Sequence, residues 1–276
     1  MDKPEQILQR INKFNSEMWN GYMFLIDIVD STNRKIEYRT KWKSQTLAVF
    51  ALFKDFLENI KNEINHSGGD KVILKSIGDA CMAFIGIKHS TGKNNNKKCD
   101  VSDAYKIFKK FVSFREIVHG IEGLCEIRLK VVMTYLTEIN YIDINEYYND
   151  EENDKDNSKN DVMGRGIDFT FRLEKYAGKS HIVINKILYD NIKGRADKEW
   201  GFIKVVRNLK GWAKEQEFYI VTRDTWLEDL KSINVPPNAE NVDLDLLKYY
   251  ISKTNKQNVD EKSRIYNFED LLNRGK

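Results

Sequence analysis

The sequence predicts an α+β fold, one sheet with helices packed on one face. Three observations predict it. Runs of strand character at 22–29 and 126–139 alternate with long segments of helical apolar spacing at 33–64 and 101–120. The segment 71–87 carries two apolar runs parted at Ile77-Gly78-Asp79, the pattern of a hairpin. In chain order the elements then read β-α-β-β-α-β, followed by α-β-α-β-β.

Each element has a local reason. Residues 5–18 place Ile7, Leu8, Ile11 and Phe14 at helical spacing, so an amphipathic helix over 1–20 is expected. "MFLIDIVDST" follows, four apolar residues that end on Asp27 and two more that end on Asp30. In 33–64 the apolar stripe is Leu47, Phe50, Leu52, Phe53, Phe56, Leu57 and Ile60, and Gly68-Gly69 ends the pattern. "HIVI", "NKILYDNI" and the runs 201–207 and 216–222 supply a strand, a helix and two strands after a helix at 165–177. Residues 142–161 form an acidic, Asn-rich stretch with too little apolar area to offset ordering entropy, and read as a flexible loop. The domain is expected over 21–223, with a helical tail at 224–276.

Composition excludes several function classes. The chain has 276 residues, 41% of them apolar, enough for a sizeable core. The 45 basic against 42 acidic residues leave +3, without the clustered basic excess of a nucleic-acid protein. Cys81, Cys99 and Cys125 are far apart and read as reduced thiols; four histidines show no metal spacing, so zinc is not expected. No signal-peptide run and no span of about 18 apolar residues occurs, so a cytoplasmic protein off the membrane is expected.

The chemistry concentrates on acids. Asp27 ends one strand and Asp79 sits at the hairpin tip. If their strands are neighbours, the two carboxylates converge at one edge and repel unless a divalent cation bridges them. Oxygen donors suit magnesium or manganese with phosphates completing the shell. Backbone N–H groups of "IVDST", at the start of the long helix, favour a phosphate. The competing reading makes each aspartate a turn or capping residue.

Four segments carry a resemblance: "FLIDIVDST", "KSIGDACMAF", "DVMGRGIDFTFRLE" and "LKGWAKEQEFYIV". In order and spacing they resemble the successive signatures of the class III nucleotidyl cyclases, over roughly 22–221. The resemblance implies a ferredoxin-like β-α-β-β-α-β catalytic domain that makes a 3′,5′-cyclic nucleotide and pyrophosphate. It implies two Mn2+ or Mg2+ ions on Asp27, Asp79 and the Ile28 carbonyl. It places Arg172 on the transition-state arginine and Lys210 on the lysine that contacts the terminal phosphates. Lys75 and Asp161 fall on the base-reading positions, and Leu25 and Val162 line the base. In the family the site lies between two subunits; one chain carrying both halves implies a homodimer with two equivalent sites.

Two positions depart from the pattern. Asp168 stands where the family has asparagine, four residues before Arg172, where a plain i,i+4 ion pair is the competing reading. Asp30-Ser31 replaces the family's "GF".

Lys75 donates and Asp161 accepts, so the pair suits an acceptor beside a donor. Adenine, cytosine and uracil offer that; guanine does not. Lys75 snorkelling along a strand edge and Asp161 belonging to the acidic loop are the competing readings. With "DIVDST" and no sensor or membrane segment, the chain looks like the stand-alone pyrimidine cyclases of bacterial Pycsar antiphage systems. That implies UTP as substrate and cyclic UMP, read by a separate effector protein, as product. Adenylate cyclase, cytidylate cyclase and a degenerate nucleotide-binding homologue are the alternatives.

Overall fold

The computed structural model describes residues 17–29, 31, 35–36, 39–64, 71–88, 101–121, 124, 127–142, 161–178, 181–196, 200–222 and 265–267. Its strands are β1 (Glu17–Ile28), β2 (Lys71–Ile77), β3 (Ala80–Lys88), β4 (Leu129–Ile142), β5 (Asp161–Met163), β6 (Ile182–Asn185), β7 (Gly201–Arg207), β8 (Gln216–Thr222) and β9 (Ile265–Asn267). Its helices are α1 (Arg39–Ile64), α2 (Val101–Gly120), α3 (Arg165–Leu173), extended by a 3₁₀ turn at Glu174–Tyr176, and α4 (Lys186–Ala196). The strands form one sheet in the order β2-β3-β1-β4-β6-β8-β7-β9, with β5 on β4.

The first four strands are antiparallel neighbours, the ferredoxin-like arrangement expected from the sequence. β6 then pairs parallel to β4, so the appended half extends the same sheet. The strand β1 is central, and its alternation feeds two cores. Tyr22, Phe24, Ile26 and Ile28 face α1, α2 and α4, where Phe24 meets Phe56 and Phe111 at ring distances of 5.7 and 5.0 Å. Trp19, Met23 and Leu25 face the other way, onto Val162, Ile167 and Leu173. Phe24→Ala would open a cavity in the first core at a cost of about 3–5 kcal/mol.

Helices therefore cover both faces. Three lie on one face as expected, whereas α3 packs on the other, because Ile167, Thr170 and Leu173 are its buried stripe. Within α1, which holds neither Gly nor Pro, Val49 takes the inward place and Leu47 is 68% exposed. Leu47 stands two residues from Val49, so about 200° of helical rotation turns it to solvent.

Three boundaries differ from the sequence reading. β1 starts at Glu17, so the last residues of the expected N-terminal helix are strand; 1–16 lie outside the described residues. The end of the acidic loop pairs with β4 as β5, and 143–160 lie outside. Of the tail, Ile265–Asn267 runs parallel to β7 as a strand, and the remainder of 224–276 lies outside. No helix among the described residues is long and apolar enough to cross a membrane.

Candidate active site

Asp27 faces Ala80 of β3 and Lys130 of β4 across the sheet. Ile77 and Ala80 are paired, so Gly78-Asp79 is the whole loop of the β2–β3 hairpin. Gly78 has φ +67, the positive angle that a II′ turn needs at its first central position. That turn sets Asp79 one residue from Ala80, and directly opposed residues lie about 4.5–5.5 Å apart between Cα atoms. Asp27 and Asp79 therefore lie at the same end of neighbouring strands, near enough for the Asp79 charge to act on Asp27.

Two ammonium groups meet these acids. Lys130 Nζ donates to Asp27 Oδ2 at 3.2 Å and to Glu174 Oε1 at 3.3 Å. Lys35 Nζ lies 3.6 Å from Asp79 Oδ1. Burial raises the Asp27 carboxyl above its ordinary range; Lys130 pulls it back, but the Glu174 and Asp79 charges push it up again. Burial pulls the Lys130 ammonium down, and Asp27 with Glu174 more than offset this, leaving it above the usual lysine range. The directions agree because two carboxylates, Asp27 and Glu174, share one lysine, and the Asp79 charge adds to the field at Asp27. Among the described residues, this end of the strands sets three carboxylates against two ammonium groups.

Lys75 and Asp161, the two residues expected to read the base, come together. Lys75 Nζ lies 2.6 Å from Asp161 Oδ2, and Asp161 Oδ1 accepts the Val162 N–H at 2.8 Å. Asp161 opens β5 rather than lying in the acidic loop, and Lys75 ends in an ion pair with it. Lys75, facing Met82 across β2–β3, shares its sheet side with Leu25 and Asp27. Leu25 and Val162 are buried at 2% and 5% exposure, and the Ile28 side chain is buried too.

Arg172 and Asp168 lie on the outward side of α3. Thr170 between them is buried and hydrogen-bonded to Thr134 at 2.7 Å, which turns the residues two places away outward. Both are exposed and, among the described residues, form no ion pair with one another. The i,i+4 pair is thus not made. Lys210 is exposed in the β7–β8 turn beside buried Leu209. Trp212 of the same turn packs on Phe169 at 5.8 Å and under Arg165 at 5.6 Å, which docks the turn on α3.

The residues fall into three groups on one side of the sheet: the acid edge, the Lys75–Asp161 pair, and α3 with Lys210. Among the described residues, Arg172 and Lys210 make no contact with Asp27 or Asp79. Sequence reasoning missed Lys130 and Glu174. A signal existed in the lone lysine amid the apolar run of β4, but its meaning depends on which rung it shares. Asp30 and the "DST" turn lie mostly outside the described residues; Ser31 is buried.

The donor set fits a hard divalent ion. It offers two carboxylates and a backbone carbonyl, all oxygen, on an edge whose acids repel one another. Among the described residues no group of three His, Cys, Asp or Glu side chains forms a closed metal cage. An ion here would take the rest of its shell from water or substrate.

No protein-family model matches the chain, and no curated protein matches it. Solved structures do. The catalytic core of a rhodopsin-guanylyl cyclase with converted specificity, in complex with ATPαS, is 18% identical at a TM-score of 0.50. That match covers 75% of this chain and 97% of the other. The guanylate cyclase domain of RhGC from Catenaria anguillulae, in complex with GTP, is 17% identical at a TM-score of 0.50, over 75% of this chain and 98% of that domain. At this identity the likeness is one of fold. The chain has the mixed α+β fold of class III nucleotidyl cyclase catalytic domains.

Proposed function

We propose that the chain is a nucleotidyl cyclase that converts UTP to cyclic UMP and pyrophosphate at a homodimer interface. The observation that carries the cyclase reading is the placing of Asp27 and Asp79 at the same end of neighbouring strands, where the described residues set three carboxylates against two lysines. In the reaction the ribose 3′ oxygen attacks the α-phosphorus and loses its proton, and the bond to the β-phosphate bridge breaks to release pyrophosphate. Bound Mg2+ or Mn2+ ions supply Lewis-acid charge at the reacting oxygens.

Each residue has a role in this reading. Asp27, Asp79 and the Ile28 carbonyl hold the ions. Lys75 donates to the base and Asp161 accepts from it, while Leu25 and Val162 line it. Arg172 and Lys210 offset the charge on the triphosphate, and Asp168 stands beside the reacting phosphate. The two-subunit arrangement is supported by Arg172 and Lys210 being exposed and away from the acids of their own chain. The ion-paired Lys75 and Asp161 present a donor beside an acceptor, which suits uracil, cytosine and adenine alike. The choice of uracil, and of an antiphage role in which a separate effector reads the product, rests on the likeness to Pycsar cyclases.

Two other readings have a specific observation in their favour. The Lys75–Asp161 pair equally matches adenine N1 and its amine, an adenylate cyclase. Asp168, a carboxylate where the family has an amide, favours a degenerate module that only binds nucleotide. Purified protein incubated with each of the four nucleoside triphosphates and Mn2+, with products weighed by mass spectrometry, decides among them. Cyclic UMP as the main product is expected. Cyclic AMP or CMP in its place overturns the base assignment, and no cyclic product from any nucleotide overturns the cyclase.

A further inference from the structure

Lys130 and a divalent ion would compete for the same oxygen of Asp27, and we infer that Glu174 is a positioning residue that draws the Lys130 ammonium away so that Asp27 can take the ion. The inference rests on Asp27 and Asp79 being the metal ligands proposed above. Lys130 stands between two carboxylates at nearly equal distance, 3.2 Å to Asp27 and 3.3 Å to Glu174. Its backbone is held on the rung opposite Asp27, so the ammonium moves only as far as its stem allows. A lysine is a compact charge on a flexible four-carbon stem, suited to swing between two such partners. A divalent ion at Asp27 places like charges side by side, and the nearer the ammonium, the weaker the ion.

Glu174 is well placed to take that ammonium. It begins the 3₁₀ turn after α3, directly following fully buried Leu173, and α3 is anchored by the Thr134–Thr170 hydrogen bond. The Glu174 backbone is therefore fixed, and its carboxylate reaches Lys130 from the helix layer and not from a strand. Without it, Lys130 keeps Asp27 as its one carboxylate partner among the described residues and resists displacement. Asp79 needs no such device, since its partner Lys35 is exposed and not held on a neighbouring strand.

The test is Mn2+ binding to the full chain without nucleotide, followed through the EPR signal of free Mn2+. Lys130→Met is expected to tighten binding roughly tenfold, and Glu174→Gln to weaken it by a similar factor. In the Lys130→Met background, Glu174→Gln is expected to change the dissociation constant less than twofold. A Glu174 effect that persists without Lys130 is a plain field effect and overturns the positioning role. Mn2+ binding that needs Asp27 yet is unmoved by either variant overturns it as well. Binding indifferent to Asp27→Ala instead overturns the metal-ligand reading on which it depends. Should Lys130→Met fail to fold, Lys130→Gln supplies the same comparison.

Discussion

The Lys75 ammonium and the Asp161 carboxylate stand 2.6 Å apart, joining β2 to the short β5. The second Asp161 oxygen is held by the Val162 N–H, so the carboxylate cannot turn freely. The pair presents a fixed donor and a fixed acceptor. Lys75→Ala and Asp161→Ala should each raise KM about tenfold and broaden the choice of base, because a polar edge of the substrate is left unmet. Both side chains are about a third exposed, so each change should cost less than about 1 kcal/mol of stability. Steady-state kinetics with all four triphosphates, alongside thermal melts, checks both; unchanged base preference would remove the pair from recognition.

Asp27 carries charge against its surroundings. With its carboxyl raised by burial, the folded chain binds the proton more tightly than the unfolded chain does. Stability should then fall as pH rises from the ordinary carboxylate value through the raised one. Asp27→Asn should therefore melt higher than the parent at pH 7, with the gain vanishing near pH 3, while cyclase turnover is lost. Loss of a charged transition-state contact of this kind costs about 2.7–4 kcal/mol. A variant that keeps its activity would end the metal assignment.

If the two halves of a site come from two chains, defects in different halves are complementary. Asp27→Ala and Arg172→Ala chains, each inactive alone, should regain about one working site per mixed dimer. The measurement is turnover against mixing ratio, with mixed dimers verified by mass. Mixed dimers without activity would count against the shared site.

Asp168 is exposed and makes no ion pair with Arg172. Asp168→Asn should leave kcat intact or raise it, since the carboxylate would otherwise face the phosphate charge. A fall of a hundredfold or more would assign it a catalytic or organising part.

Glu217 makes a stability prediction away from the site. Burial opposes its charge, but Tyr219, Lys186 and Lys204 donate to it at 2.6, 2.9 and 3.0 Å and bring its carboxyl down to about 2. The stabilisation is complete above the ordinary value of 4.5 and disappears as pH falls through 2. Because Lys186 and Lys204 are a third to half exposed, solvent screening leaves about 1 kcal/mol at stake. Glu217→Gln should lower the melting temperature at pH 7 and flatten its dependence on pH below 4.5; an unchanged acid profile would contradict this.

Much of this was legible because local rules act along the chain. Apolar period and Gly punctuation sufficed for the β-α-β-β-α-β order, for α2 at 101–120, and for the runs that became β7 and β8. They also marked Asp27 and Asp79, since acids closing apolar runs call for an explanation. Leu47 was misassigned because apolar residues stand on both sides of α1 here, so the period leaves its inward side open, and the sheet beneath selects Val49. β5 was hidden because three residues at the close of an acidic stretch have no period to read, and only pairing with β4 makes them a strand.

The sequence by itself determined which groups exist and roughly where each lies along its element: two acids after apolar strands, a helix with Asp168 and Arg172 on one side, and a lysine in a turn. Only the tertiary structure decided that Asp27 shares its rung with Lys130, that Glu174 reaches the same ammonium, and that Lys75 closes on Asp161. Local propensity acts over a few residues, whereas these contacts span separations of 103, 44 and 86 positions and depend on strand order and register. Register is settled by burying two apolar faces at once, a condition that no single segment contains.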